Sequence, residues 1–433
     1  MKEEIVIFWF RRDLRLDDNI GLYHALQSQY PVLPIFIFDN DILKNLDNKR
    51  DRRVDYIYQA AKSINQELKS VNSRLEVFNG KVMNAFIKLE DNYELKAIFC
   101  NRDYEPYTIK RDTEIYNYFK KKNIPFLAYK DQVIFDKNDV LKDDGKPYTV
   151  FSPYSKKWRS SLNNEYFQEY RIKKNNFLRL SYKNILNLKD IGFERTDINF
   201  IKPELNPAII DNYDETRNFP AINGTSRLSV ALRFGTISIR HCVNFALQHN
   251  DIWLTELIWR EFFMQILYHF PQVVNNSFKP KYDNIKWINN ESHFKKWCEG
   301  QTGYPIVDAG MRELNETGFM HNRVRMITAS FLCKHLLTDW RWGEAYFAEK
   351  LNDYDLSANN GNWQWACGSG CDAAPYFRIF NPSTQAEKFD KDNVYIKRWV
   401  PEFEDINYPQ PMIEHKAARE RALKAYSEAV MGD

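Results

Sequence analysis

The sequence predicts an α/β N-terminal domain, built on a parallel sheet of Rossmann-like type, joined by a long connector to an all-α domain. Three observations carry this. In the first third, short β-branched and aromatic runs alternate with helical patterns. From 131 to 202 that pattern dissolves into Asp, Lys and Asn. From residue 203 onward, apolar residues recur at three- and four-residue spacing. Domains are therefore expected at 1–130 and 203–433, with 131–202 as the connector.

The run Ile5–Phe10 is short, apolar and followed at once by charge. It reads as a first buried strand and not as a signal peptide, which would need a longer apolar region and a cleavage site. Val32–Phe38, Arg74–Phe78, Lys96–Cys100 and Pro125–Tyr129 repeat the strand signal. Val54–Lys69 and Lys110–Lys122 between them are helical. Such alternation implies parallel strands covered on both faces. Neither GxGxxG nor a Walker A loop follows the first strand, so nucleotide binding by those loops is not supported. The connector carries YTVFSPYSKKW (Tyr148–Trp158). Helices are then expected at Leu254–Tyr268, Ile306–Thr317, His321–Leu337 and Trp342–Asn352, with an Ala-rich charged helix at Glu414–Ala429.

Composition sets limits. A chain of 433 residues needs more than one core. No apolar run approaches the roughly 20 residues needed to cross a bilayer, so a cytoplasmic protein with no membrane partner is expected. Six scattered cysteines suit free thiols in a reducing compartment. Cys367 and Cys371 have no second Cys or His pair near them, and no metal is expected. Net charge is only +3, so a nucleic-acid partner would have to be met by local basic groups such as Arg323 and Arg325.

The segment Gly318–Gln385 stands apart, because four tryptophans (Trp340, Trp342, Trp363, Trp365) sit among arginines, acids and paired asparagines. That mixture suits a planar polar ligand better than an ordinary core. Glu256, Trp259, Arg260 and Phe263 fall at i, i+3, i+4 and i+7, which puts an acid, an indole and a guanidinium on one helix face. Spacing alone leaves a core stripe with an internal ion pair as an equal reading. Asn322, Arg323 and Met326 form a second helical cluster, able to offer an amide to a base edge, a guanidinium to a phosphate and a soft apolar contact. The hydroxyls of Thr225, Ser226 and Ser229 beside Arg227 and Leu228 suit a diphosphate, but Ser/Thr caps are common.

These residues lie in a series of longer motifs. They are GTSRLS (Gly224–Ser229), ELIWREFF (Glu256–Phe263), GYPIVDAGMREL (Gly303–Leu314), MHNRVRMITASFL (Met320–Leu332), NNGNWQWA (Asn359–Ala366) and DAAPYFRIFNP (Asp372–Pro382). FWFRRDLRLDDN (Phe8–Asn19) opens the chain. In order and spacing they closely resemble the cryptochrome/photolyase family, and most of all the bacterial class I cyclobutane pyrimidine dimer photolyases. The resemblance spans nearly the whole chain.

The resemblance implies an all-α FAD-binding domain whose flavin works in the reduced form. It assigns FAD contacts to Tyr213, Thr225, Ser226, Arg227, Leu228, Ser229, Trp253, Arg260, Asn322, Arg325, Asp353, Tyr354, Asp355 and Asn359. It places the dimer against Glu256, Trp259, Asn322, Arg323, Met326 and Trp365. Glu256, Asn322, Met326 and Asn359 would be the catalytic set, with Asn359 facing flavin N5. A carboxylic acid there would protonate a flavin radical, whereas a neutral amide favours the two-electron reduced state. Trp287, Trp340 and Trp363 match the family's electron-transfer chain. Asn101 and Glu105 resemble contacts of a second, antenna chromophore, whose identity the sequence leaves open. The implied protein is a monomeric deoxyribodipyrimidine photo-lyase, a carbon–carbon lyase that splits pyrimidine dimers in damaged DNA under light. The alternative is a cryptochrome-type photoreceptor without repair activity.

Overall fold

A computed structural model describes residues 2–431. The chain divides into two compact units. One comprises Met1–Asp139, Ser161–Leu205 and Arg227–Gln248. The other comprises Val140–Ser160, Asn206–Ser226 and His249–Asp433.

The first unit is built on five parallel strands: β1 (Glu3–Phe10), β2 (Val32–Asp39), β3 (Glu76–Gly80), β4 (Tyr93–Asn101) and β5 (Phe126–Tyr129), in the order β3-β2-β1-β4-β5. Helices α1 (Ile20–Leu26), α2 (Arg52–Leu68), α3 (Val82–Asn92) and α4 (Pro106–Lys120) connect them. Alternation along β1 explains its composition. Val6, Phe8 and Phe10 enter one core with residues of α1 and α2, while Ile5, Ile7 and Trp9 enter another with Phe86 and Phe119. A strand buried on both faces reads as a continuous apolar run. The strand order reverses between β1 and β4.

The long connector does not form one piece. Residues 161–205 lie on the α/β unit, where Phe177, Ile185, Leu188 and Phe193 join its core. Residues 227–248, which sequence spacing groups with the helical half, also pack on this unit. The physical reason is a buried ion cluster. Arg240, 2% exposed, reaches Asp18 at 3.0 Å and Asp131 at 2.9 Å, and Arg15 meets Asp131 at 2.8 Å. No periodicity signals such a link.

The second unit is helical. Its principal elements are α5 (Phe151–Ser161), α6 (Asp251–His269), α7 (Pro305–Thr317), α8 (Asn322–Ser330), α9 (Trp340–Lys350), α10 (Leu356–Cys367) and α11 (His415–Met431). The helix expected over His321–Leu337 changes character at Phe331, where a π-helical turn runs to His335. The wider turn carries Lys334 and His335 into the core, where both are buried. The core is aromatic, including Trp297, Phe331, Trp340, Phe347, Trp363 and Tyr426. Among the described residues no helix is long and apolar enough to cross a membrane, and no group of His, Cys, Asp and Glu is arranged to hold a metal ion.

Candidate flavin and lesion site

The site residues of the helical unit are carried by α6, α8, α9 and α10. Asp355 caps α10 by accepting from the backbone N–H of Ser357 at 3.0 Å and Ala358 at 3.2 Å. Asn359, Asn360 and Gly361, a sequence that also suits a turn, lie inside this helix. Their amides have work to do there. Asn360 and Gln364 both donate to the Val273 carbonyl at 2.9 Å, satisfying a backbone oxygen outside the helix. Gly361 has a packing reason: a Cβ would stand 2.2 Å from the Phe263 ring of α6. The glycine lets α6 and α10 approach closely.

Arg325 donates through Nη2 to Asp353 at 2.9 Å and through Nε to the Met320 carbonyl at 2.7 Å. The second carboxylate oxygen of Asp353, Oδ1, is buried and has no hydrogen-bond partner among the described residues. Leaving such an atom unmet costs about 1–3 kcal/mol, so it suits a ligand N–H. Asn359 directs its NH2 at Glu344 of α9, whose carboxyl is pushed above its ordinary range by burial and held back by that hydrogen bond. An orphaned carboxylate oxygen and an oriented amide fit the edge of a flavin. Trp253 is buried on α6; Tyr213 and Tyr354 are half-buried, and burial raises the Tyr213 phenol.

On α6, Glu256 meets Arg217 at 2.6 Å. Burial raises the Glu256 carboxyl and Arg217 opposes the rise. Trp259 stacks on Phe151 of α5 with centroids 3.6 Å apart and planes 5° apart, and has Phe263 on another side. On α8, Asn322 is exposed at the first turn and its amide lies 4.0 Å from the Met326 sulfur. Arg323 is more committed than the sequence suggests. Its guanidinium donates to Asn218 at 2.6 Å and sits 4.3 Å over the Phe389 ring. Arg260 and Trp365 are half-buried. Arg217, Phe151, Asn218 and Glu344 gave no signal in the sequence, because each becomes visible only through a partner distant in the chain.

Trp340 and Trp363 are buried and Trp287 is half-buried. Among the described residues the three make no ring contact with one another. Trp363 meets Phe347 at 4.9 Å, and Trp287 meets Tyr426 at 5.9 Å. The GTSRLS motif spans the division between units. Thr225 and Ser226 close a segment of the second unit, and Arg227, Leu228 and Ser229 open a segment of the first. Arg227 has φ 51°, and a short helix starts at Ser229. In the first unit, Asn101 donates to Asp13 at 2.6 Å and Asn19 at 2.7 Å and accepts from Gly21, so its amide braces the β1–α1 turn. Glu105 pairs with Arg12 and Arg233, each at 2.9 Å.

A parallel sheet unit and an aromatic helical unit bearing this amide and carboxylate cluster define a flavoprotein class. Comparison with known proteins gives the family. Residues 6–171 match the family described as DNA photolyase, and 253–407 match the FAD binding domain of DNA photolyase. The deoxyribodipyrimidine photo-lyase of Synechococcus sp. is 36% identical over 98% of this chain and 96% of its own length. That of Escherichia coli K12 is 36% identical over 98% and 99%. Among solved structures, a bacterial class III photolyase from Agrobacterium tumefaciens superposes with a TM-score of 0.87 at 32% identity, covering 99% of this chain and 98% of that one. An archaeal photolyase from Sulfolobus tokodaii, solved with two FAD molecules, gives 0.84 at 34% identity over 98% and 100%. The chain belongs to the photolyase/cryptochrome family, and FAD is its cofactor.

Proposed function

We propose that this protein is a deoxyribodipyrimidine photo-lyase that repairs cyclobutane pyrimidine dimers in DNA under blue or near-UV light. The observations that carry the reading are the Asn359 carboxamide oriented by Glu344 and the Asp353 oxygen unmet among the described residues, in a helical unit that also holds an acid and an indole on one face of α6. Reduced FAD, when bound and excited, supplies the electron that opens the cyclobutane ring.

The residues do the rest. Arg325 holds Asp353 so that Oδ1 can accept from the cofactor, and Asn359 offers Oδ1 as an acceptor at N5. Glu256 meets the pyrimidine edge; protonated, it donates to a carbonyl of the dimer. Trp259, held flat by Phe151, gives the extruded bases a stacking surface. Asn322 supplies a second amide and Met326 an adaptable apolar contact. A dimer is extruded more readily than normal bases because its pairing and stacking are already weakened. Trp287, Trp340 and Trp363 return the cofactor to its reduced form and take no part in ring splitting. The class I assignment, the antenna contacts at Asn101 and Glu105, and a monomeric cytoplasmic enzyme complete the proposal.

The test is a defined oligonucleotide carrying one thymine dimer. The protein with bound FAD should remove the dimer under blue light and leave it intact in the dark. If it binds FAD and photoreduces but spares the dimer, the photoreceptor reading replaces this one.

A further inference from the structure

The backbone N–H of Phe151, the first residue of α5, donates to Oδ2 of Asp372 at 3.0 Å, across 221 residues of sequence. The first amides of a helix have no partner within it, and a carboxylate is a strong acceptor for them. Asp372 stands in a segment fixed on both sides. The buried Lys334 Nζ donates to the carbonyls of Cys367 at 2.7 Å and Tyr376 at 3.3 Å. Between them, the N–H of Gly370 donates to the Gln364 carbonyl of α10 at 3.0 Å. Helix α5 is held along its length as well. Tyr154 and Trp158 both donate to Oε1 of the buried Glu261 on α6, at 3.2 Å and 2.7 Å.

What these contacts position is the Phe151 ring. It lies on Trp259 with centroids 3.6 Å apart and planes 5° apart. Left to themselves, aromatic rings prefer an offset or edge-on arrangement with centroids about 4.5–7 Å apart. A face-to-face pair this close needs both backbones held. Phe262 stands edge-on to each ring, 5.8 Å from Phe151 and 5.7 Å from Trp259, so it supports the pair without competing for a face. Helix α6 thus carries the indole and, through Glu261, holds the helix that covers it.

We propose that Asp372 is a positioning residue for lesion recognition: by holding the first amide of α5, it keeps the Phe151 ring flat on Trp259 and fixes the indole surface that the extruded dimer meets. This rests on the reading above that Trp259 is that surface. A dimer that stacks on an immobile ring pays little to order the side chain beneath it. Without the Asp372 bond, the first turn of α5 frays and the Phe151 ring leaves its face-to-face position. The dimer must then order the indole itself. Undamaged duplex, met through its phosphates, does not depend on this surface.

The experiment compares the FAD-loaded parent with Asp372→Ala, Asp372→Asn, Phe151→Leu and Trp259→Leu. Asparagine removes the charge and keeps an acceptor oxygen, so it separates the hydrogen bond from any effect of charge on DNA. Binding is measured to a duplex carrying one thymine dimer and to the same duplex undamaged, and hydrogen exchange is followed over the first turn of α5. Asp372→Ala should speed that exchange and weaken dimer binding about fivefold, the size of a lost helix cap, with undamaged duplex bound as by Asp372→Asn. Asp372→Asn should keep the parental preference for the dimer. Phe151→Leu should reproduce the loss with Asp372 in place, and decides the matter if the alanine variant does not retain FAD. Faster exchange with a parental dimer preference in Asp372→Ala and Phe151→Leu would overturn the positioning role and leave the bond structural. Equal losses in Asp372→Asn and Asp372→Ala would overturn the hydrogen bond as the cause. Trp259→Leu tests the wider reading separately. A parental preference there would show that the dimer does not stack on this indole, and would overturn both.

Discussion

The NH2 group of the Asn359 carboxamide is directed at Glu344, donating to its backbone oxygen at 3.0 Å and to Oε1 at 2.8 Å. A backbone carbonyl can only accept, so the group facing it is the NH2. Asn359 therefore presents its carbonyl oxygen to whatever lies on its other side, and Glu344 fixes that choice. An acceptor suits a cofactor nitrogen that carries a proton.

Asn359→Asp should change this. The new carboxyl would be buried near Glu344, and both burial and the neighbouring acid favour its protonated form. A proton donor then replaces an acceptor. Under blue light, long-wavelength flavin absorption should appear that the parent lacks, and dimer removal should fall while FAD remains bound. Glu344→Ala keeps the backbone contact and should cost only about 0.5–1.5 kcal/mol of orientation. A parental spectrum in Asn359→Asp would remove Asn359 from the site.

The Glu256–Arg217 pair predicts a pH dependence. Burial raises the Glu256 carboxyl, so its protonated form persists above the usual carboxylate range. If the protonated acid donates to the dimer, lesion binding is present below that titration and is lost as pH rises through it. Glu256→Gln should keep binding and flatten the profile. Glu256→Ala should cost about 1–3 kcal/mol on damaged duplex and little on undamaged duplex. Equal losses on both would show that Glu256 touches no base. Arg217→Ala should move the titration upward, because Arg217 opposes the rise.

Much of this was readable in the chain, for physical reasons that also explain what was not. The β1 strand is legible because both of its faces are buried, and α6 because its acid and indole fall on one face. Arg323 shows the limit. Its type suits a phosphate, but its contacts with Asn218 and the Phe389 ring do not follow from spacing. The π-helical turn at Phe331–His335 is not legible, because its apolar pattern matches an ordinary helix over one turn. The packing of residues 227–248 is not legible either, because a buried ion cluster, and not apolar periodicity, decides where they pack.

Gly361→Ala tests the close approach of α6 and α10. A methyl group would meet the Phe263 ring at 2.2 Å. Overpacking of this kind costs about 1–3 kcal/mol, offset by up to about 1 kcal/mol because glycine is a poor helix former. Thermal unfolding should move to lower temperature and bound flavin per chain should fall, since Asn359 lies on the displaced helix. An unchanged melt would mean that the ring moves aside freely.

His335 predicts the acid limit of the fold. It is fully buried, stacked on Phe331 at 4.8 Å, and 2.8 Å from His415 through Nε2. Burial, then His415 and Arg421, lower it to about 3. An unfolded histidine titrates near 6.5. The unfolded chain therefore binds the extra proton between those values, and stability present above about pH 6.5 is lost as pH falls toward 3. Urea midpoints at neutral pH and near pH 5 should differ in the parent and differ less in His335→Phe. Equal pH dependence in the two would place the acid sensitivity elsewhere.

Trp340→Phe separates restoration of the cofactor from repair. Trp340 is buried and its indole N–H has no hydrogen-bond partner among the described residues. Replacing it by phenylalanine therefore breaks no hydrogen bond. The expected cost is one of lost volume, about 1–3 kcal/mol for a reduced aromatic in a packed core, and the variant should fold. If electrons reach the flavin through this ring, photoreduction by external thiol should be blocked in protein that starts oxidised. Protein reduced chemically beforehand should still remove dimers at close to the parental rate, because ring splitting needs no electron from the chain. Photoreduction at the parental rate would show that Trp340 is bypassed. Loss of repair in the pre-reduced variant, with flavin still bound, would instead place the indole within reach of the lesion chemistry.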